Sequence, residues 1–270
     1  MLCAFCSALF AIENWGDYNP NYLYEYCMKD GSYTMNPDFP LYNLFSTWIG
    51  ADTMSLAGTL FYYLMPVGVA LPYAWSFHTE RKSGYLKNIV SRAEKKRYFP
   101  AKLTAVFLSG AAVVLLACLI NILIVSAFLP VGNNTQEYTL YNLIYFGNLW
   151  ADLFFTHPFL HMALYVLLNG LYGGIFALLS AAVSFYVKNL PALLLTPFLV
   201  LLLAGYVHDV IRTRFFPQSL NFPEFIPTQF LHARTVNCPV FGWAVALVTL
   251  LLLGFALGTI LWGGFKDEIY

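Results

Sequence analysis

Residues 79–102 read TERKSGYLKNIVSRAEKKRYFPAK, a dense basic block set between long apolar runs. Eight of the chain's 14 Lys and Arg residues lie in it: Arg81, Lys82, Lys87, Arg92, Lys95, Lys96, Arg97 and Lys102. Such an island cannot sit in hydrocarbon, where each charge would lose its water. It must project into an aqueous compartment. Its positive sign points to the cytoplasmic face of a membrane.

The rest of the composition agrees. The chain has 270 residues, 59% hydrophobic and only 10% charged, with a mean hydropathy of +0.63. Soluble domains carry about a quarter charged residues, so most of this surface is built to face lipid. The net charge is zero, so no global field attracts nucleic acid. A single transmembrane domain over residues 1–270 is expected.

Six membrane helices can be read, giving an all-α polytopic fold with both termini cytoplasmic. They cover roughly residues 1–15, 53–77, 101–129, 157–187, 190–207 and 241–262. The first is short for a span, which needs about 20 residues. Extracellular loops are expected at 16–51, 130–156 and 208–239. The block at 79–100 forms a cytoplasmic loop, and Lys188-Asn189 makes a tight inner turn. With this topology the inner side holds ten basic residues against the acids Glu80, Glu94, Asp267 and Glu268. The outer side holds Lys29, Arg212, Arg214 and Arg234 against ten acids. That asymmetry satisfies the positive-inside rule. Trp15, Trp48, Trp75, Trp150, Trp243 and Trp262 all fall near expected membrane ends, where an amphipathic ring prefers to sit.

From Gly84 the block has the pattern of a short amphipathic helix. Leu86, Ile89, Val90 and Ala93 follow the i, i+3, i+4, i+7 spacing of one apolar face. Gly84 can break the preceding membrane helix, and Pro100 can open the next. Two readings stay open on this pattern. The helix lies on anionic lipid, or it docks its apolar face into a cytoplasmic partner.

The segment Glu80-Arg81-Lys82-Ser83-Gly84-Tyr85, then a short helix with Arg92, then Tyr98-Phe99-Pro100-Ala101-Lys102, resembles the permease subunits of bacterial ABC transporters of the type-2 export class. Glu80, Gly84, Arg92 and Lys102 match that family's positions around its coupling helix. The six-span plan and the outer loop between the last two spans are similar as well. The chain departs from the family in lacking a basic amphipathic segment before its first helix.

The resemblance implies a dimer with a second permease subunit, the same or different, in a bacterial plasma membrane. Two separate ATPase subunits bind underneath. Glu80, Gly84, Tyr85, Leu86, Ile89, Val90, Arg92 and Ala93 are then the residues that meet the ATPase. ATP and magnesium belong to that partner, since this chain has no G-x-x-x-x-G-K-[ST] phosphate loop. In the same family the region between spans five and six forms short re-entrant helices that cap the exit. The chain itself is expected to bind no cofactor and to be no enzyme. An integral-membrane enzyme or a non-transporting sensor is the alternative. Against the enzyme, no G-x-S-x-G, paired intramembrane carboxylates or His-carboxylate metal set is found.

Further residues are candidates for helix packing or for lining a pathway. Gly170-x-x-x-Gly174 and Gly254-x-x-x-Gly258 allow close helix contact, within the chain or at a dimer interface. Asn121 and Asn169 place amides inside spans, as packing glue or as substrate contacts. His157 and His161 stand four apart but lack a carboxylate ligand, so no metal site is expected. His208-Asp209 reads as an interfacial cap or a proton-relay pair. Cys27 and Cys238 both fall in expected outer segments, and a disulfide between them is open. The prolines of loop 208–239 forbid one long helix. Its apolar patches Phe215-Phe216 and Phe225-Ile226 suggest a dip back toward the membrane.

Overall fold

The computed structural model describes residues 1–17, 43–52, 55–73, 76, 79–80, 83, 95–129, 131, 144, 147–187, 189–216, 222–234 and 238–266. Every regular element among them is a helix. In chain order these are α1 (Leu2–Asp17), α2 (Leu44–Thr47), α3 (Leu56–Ala70), α4 (Lys95–Phe128), α5 (Ala151–Thr156), α6 (Pro158–Val183), α7 (Leu190–Phe215), α8 (Pro227–Phe230) and α9 (Gly242–Lys266).

Four stretches are long and apolar enough to cross a bilayer: Pro100–Phe128, Pro158–Val183, Leu190–Phe215 and Gly242–Ile260. The chain is therefore a helical protein compatible with multi-pass membrane insertion. The sequence led us to expect six spans; the other two apolar helices, α1 and α3, are shorter. The 15 residues of α3 reach about 22 Å, less than the ~30 Å of a hydrocarbon core. Pro72 accounts for its end, because it has no N–H to continue the ladder. Two boundaries also moved. The helix α4 begins at Lys95, more than a turn before Pro100, so that proline lies inside the helix rather than opening it. The helix α7 continues to Phe215 instead of stopping at Val207. Its last turn carries Arg212 and Arg214, which suit the negative end of the helix dipole.

The centre of the bundle is α6, the most enclosed of the four long helices, whereas α7 is the least. Its chief partner is α4, and small residues explain how close they come. A Cβ on Gly110 would lie 2.6 Å from the carbonyl oxygen of Gly173 and 2.6 Å from Cβ of Ala177. A Cβ on Gly173 would lie 2.8 Å from the Gly110 carbonyl. The two backbones thus touch, as small residues permit in membrane helices. Gly170 receives Leu115 and Gly174 receives the ring of Phe107. The pairing of 110 with 173–177 and of 115 with 170 makes the two helices antiparallel. Gly254 and Gly258 differ from the α6 pair. Among the described residues nothing lies within 4 Å of a Cβ at either position. That notch in α9 faces away from the described part of the bundle.

The far half of the bundle, around Asn121 and Asn169, is filled by irregular chain. Of the expected outer loops, residues 43–52 and 222–234 are mostly buried and 147–156 are partly so. Trp48 is among the most buried side chains rather than an interfacial ring. Buried backbone needs its polar groups satisfied, and hydrogen bonds between these segments do so. The Ala233 amide donates to the Gly50 carbonyl at 2.7 Å, and Val240 to Gly147 at 2.7 Å. Glu224 donates to Pro239 at 3.0 Å. Trp150 holds φ at 58° on entering α5, an unfavourable turn for a bulky residue. Its ring packs edge-on against Tyr165.

Candidate functional site

The basic block resolves into a buried polar clamp at its two flanks. Lys102 sits in the first turns of the membrane part of α4 with its side chain 5% exposed. Its ammonium donates to the Glu80 carboxylate at 2.6 Å, to the Ser76 hydroxyl at 2.9 Å and to the Tyr73 hydroxyl at 3.0 Å. Those three bonds use all the donors that an ammonium has. The ring of Tyr73 also lies 4.2 Å from the charge, within cation–π range. Glu80, 22% exposed, takes a further bond from the Tyr98 hydroxyl at 2.6 Å.

Helical spacing assembles this site. Tyr98 and Lys102 are i and i+4 on α4, hence on one face. Tyr73, Ser76 and Glu80 are i, i+3 and i+7, the spacing of one helical face. The clamp therefore ties the chain just before the basic loop to the chain just after it. Of the residues matched to the coupling motif, Glu80 and Lys102 meet directly. Gly84, Tyr85, Leu86, Ile89, Val90, Arg92 and Ala93 lie outside the described residues. Tyr73, Ser76 and Tyr98 escaped the sequence reading, although the i, i+4 spacing of Tyr98 and Lys102 was a usable signal.

Two asparagines and one carboxylate organise the opposite half. Asn121 accepts from the Ile49 amide at 2.7 Å and donates to the Ala4 carbonyl at 2.8 Å. It joins α4 to α1 and to the buried segment 43–52. Asn169 donates to the carbonyls of Tyr165 at 2.8 Å and Leu231 at 3.2 Å, joining α6 to segment 222–234. Both are glue between elements. Asp52 accepts from the Ser7 hydroxyl at 2.7 Å, from the Ser55 amide at 2.9 Å and from the Ser55 hydroxyl. Ser55 in turn caps α3 by accepting from Gly58 at 2.9 Å. None of these bonds needs a Lys or Arg.

The histidines take different places. His161 is buried against Phe154 and Tyr165, while His157 is exposed at the start of α6. No group of three metal-ligating residues forms among the described residues. His208 faces Glu224 at 3.7 Å and the Pro223 carbonyl at 3.3 Å, whereas Asp209 pairs with Arg212 at 3.6 Å. Burial pushes the Glu224 carboxyl above its usual range, against the opposing Ile226 amide that donates to it at 3.0 Å. Burial, with the Glu224 charge next, pushes the Cys238 thiol up to about 11, so it is not a reactive thiolate at neutral pH. Its suggested partner Cys27 lies outside the described residues. A cleft of about 100 Å³ beside Tyr63, Tyr206, His208, Asp209 and Glu224 opens between α3, α7 and the buried loop.

No family model, no curated protein and no solved structure matches this chain.

Proposed function

We propose that this chain is the permease subunit of an ATP-driven exporter and works in a dimer above separate ATPase subunits. The observation that carries this reading is the Glu80–Lys102 clamp, closed by Tyr98, Tyr73 and Ser76. A lever needs a stiff mount. Here the loop that would receive the ATPase is tied across its two flanks by one ion pair and three charge-assisted hydrogen bonds. Closure of the ATPase pair pushes the apolar face of Leu86, Ile89, Val90 and Ala93. The clamp stops the two flanking segments from sliding past each other, so α4 moves as a rod. Rocking of packed helices between two arrangements is an established form of such coupling.

The other half supplies the counterpart. Segments 43–52, 147–156, 222–234 and 238–240 plug it through neutral hydrogen bonds from Asn121, Asn169 and backbone amides. Those bonds can part and re-form without separating charge at membrane depth. This suits an outer gate on the exit path. No ionisable side chain sits at the centres of the spans in α4, α6 and α9, which favours an amphipathic peptide or lipid-like cargo. The dimer partner, the cargo and the bacterial plasma membrane belong to this proposal.

The experiment is purification of the chain from its host with Leu86→Asp and Ile89→Asp variants alongside. The wild type should bring down a phosphate-loop ATPase, and the variants should lose it while still inserting. An integral chain that never holds an ATPase, or variants that hold it as well as wild type does, would remove the proposal.

A further inference from the structure

The cleft of about 100 Å³ between α3, α7 and segment 222–234 has a mixed wall. Leu201, Leu202 and Ile226 give it apolar surface, and Thr228 and Gln229 give it neutral polar groups. Tyr63 comes from α3, and Tyr206, 70% exposed, stands at the rim on α7. Gly205 keeps the α7 side open. Among the described residues a Cβ there would meet only Ile226, at 4.0 Å. Glu224 also lines the cleft, with its side chain 4% exposed.

The charge of Glu224 decides what this space can take. Among the described residues no Lys or Arg pairs with its carboxylate. Its bonds come from the Ile226 amide at 3.0 Å and, weakly, from the Cys238 thiol. His208 Nε2 lies at 3.7 Å, closer to the Pro223 carbonyl at 3.3 Å, and offers a charge only when protonated. Asp209 and Arg212 face each other at 3.6 Å and act on Glu224 with opposite signs. A buried carboxylate without a full countercharge is costly to ionise, and burial accordingly pushes Glu224 up. A cation in the cleft supplies the missing charge, and the carboxyl proton leaves to solvent. A metal ion is a poor guest, since no group of three metal-ligating residues forms among the described residues. An organic ammonium suits the wall better. Its charge meets Glu224, its carbon groups meet Leu201, Leu202 and Ile226, and tyrosine faces attract it. The room is several times the ~10–15 Å³ that one water needs, which fits a headgroup-sized guest.

We propose that this cleft binds an organic ammonium group, with Glu224 as its countercharge and Tyr63 and Tyr206 in its wall. The guest is the headgroup of a membrane lipid or a free amine, and both present the same cation. The site stands apart from the ATPase reading, because none of its lining residues belongs to 80–102. Either can fail without the other.

Saturation-transfer NMR with choline tests it, on the full chain in maltoside micelles, which carry no amine. Choline should bind, and the uncharged alcohol with carbon in place of the nitrogen should bind about tenfold more weakly. Glu224→Gln should weaken choline by about tenfold, and Gly205→Leu should block it by filling the recess. Repeating the titration in nanodiscs identifies the source. A choline signal lost in phosphatidylcholine discs but kept in phosphatidylglycerol discs assigns the site to a lipid headgroup. A signal kept in both assigns it to a free ammonium compound. No choline binding in micelles, or equal binding of the uncharged alcohol, overturns the proposal, and neither result needs a variant to fold. Choline binding that survives both Glu224→Gln and Gly205→Leu undiminished also overturns it.

Discussion

Removing the ammonium of the clamp is the most informative perturbation of the fold. In Lys102→Met the Glu80 carboxylate keeps the Tyr98 bond but loses its ion-pair partner among the described residues, at 2.6 Å. Breaking a fully buried pair from one side costs about 3–5 kcal/mol. Glu80 is 22% exposed, so water recovers part of that, and about 2–3 kcal/mol is expected. The hydroxyls of Tyr73 and Ser76 lose a charged donor as well. Adding Glu80→Gln to the same chain removes the stranded charge. The double variant should regain about 1–2 kcal/mol, which appears as a coupling energy in the cycle. The assay is reversible unfolding in mixed micelles followed by circular dichroism, on wild type, both single variants and the double. A coupling energy below about 0.5 kcal/mol would mean that the pair is a surface contact of the ordinary kind, and the stiff mount inferred from it would be gone.

Gly110→Leu and Gly173→Leu should each destabilise by about 1–3 kcal/mol in thermal unfolding, because the clashing atoms include backbone that cannot yield. Gly254→Leu and Gly258→Leu should stay within about 0.5 kcal/mol in the monomer, since their surroundings are open. Asn121→Leu should cost about 2–3 kcal/mol and speed hydrogen exchange at the Ile49 amide, because the Ile49 donor and the Ala4 acceptor both lose their partner. Acidification should loosen the buried segment 222–234 through His232. Its imidazole is held down to about 4 against an ordinary 6.5, so the unfolded form takes a proton first. Stability present above pH 6.5 is then lost as the pH falls toward 4, by about 2 kcal/mol at pH 5. Glu224 has the opposite sign, because its raised carboxyl pKa favours the folded form as protons are added. The measurement is therefore made on Glu224→Gln against Glu224→Gln/His232→Phe, and the acid loss should shrink in the second chain, the buried His161 supplying what remains.

Much of the helical framework was legible because hydropathy acts locally. The four long apolar helices fall close to the runs read from the sequence, since a lipid-facing helix must be apolar along its length. The shortness of α3 was signalled by Pro72 but outweighed by the apolar residues around it. The burial of 43–52 and 222–234 was not legible in full. Trp48, Asn148 and His232 look like outer-loop residues, and only partners distant in sequence make their burial tolerable. Phe225-Ile226 hinted at the dip, and those residues do sit in a buried segment. Glu80 and Lys102 could be matched as positions, whereas their 2.6 Å contact across 22 residues is a tertiary fact. The two glycine pairs read alike in sequence. They separated only when α4 proved to cover one pair and no described residue proved to cover the other.

The central claim is that an ATPase grips the loop between the clamped flanks. Single cysteines at Leu86 and Ile89, in a chain lacking Cys3, Cys6, Cys27, Cys118 and Cys238, carry a short photo-crosslinker in the native membrane. The account predicts a cross-linked product containing a phosphate-loop ATPase, with a yield that changes between ATP and ADP. Labelling of these positions only by reagent added to the external face, or products that never include a nucleotide-binding protein, would contradict it.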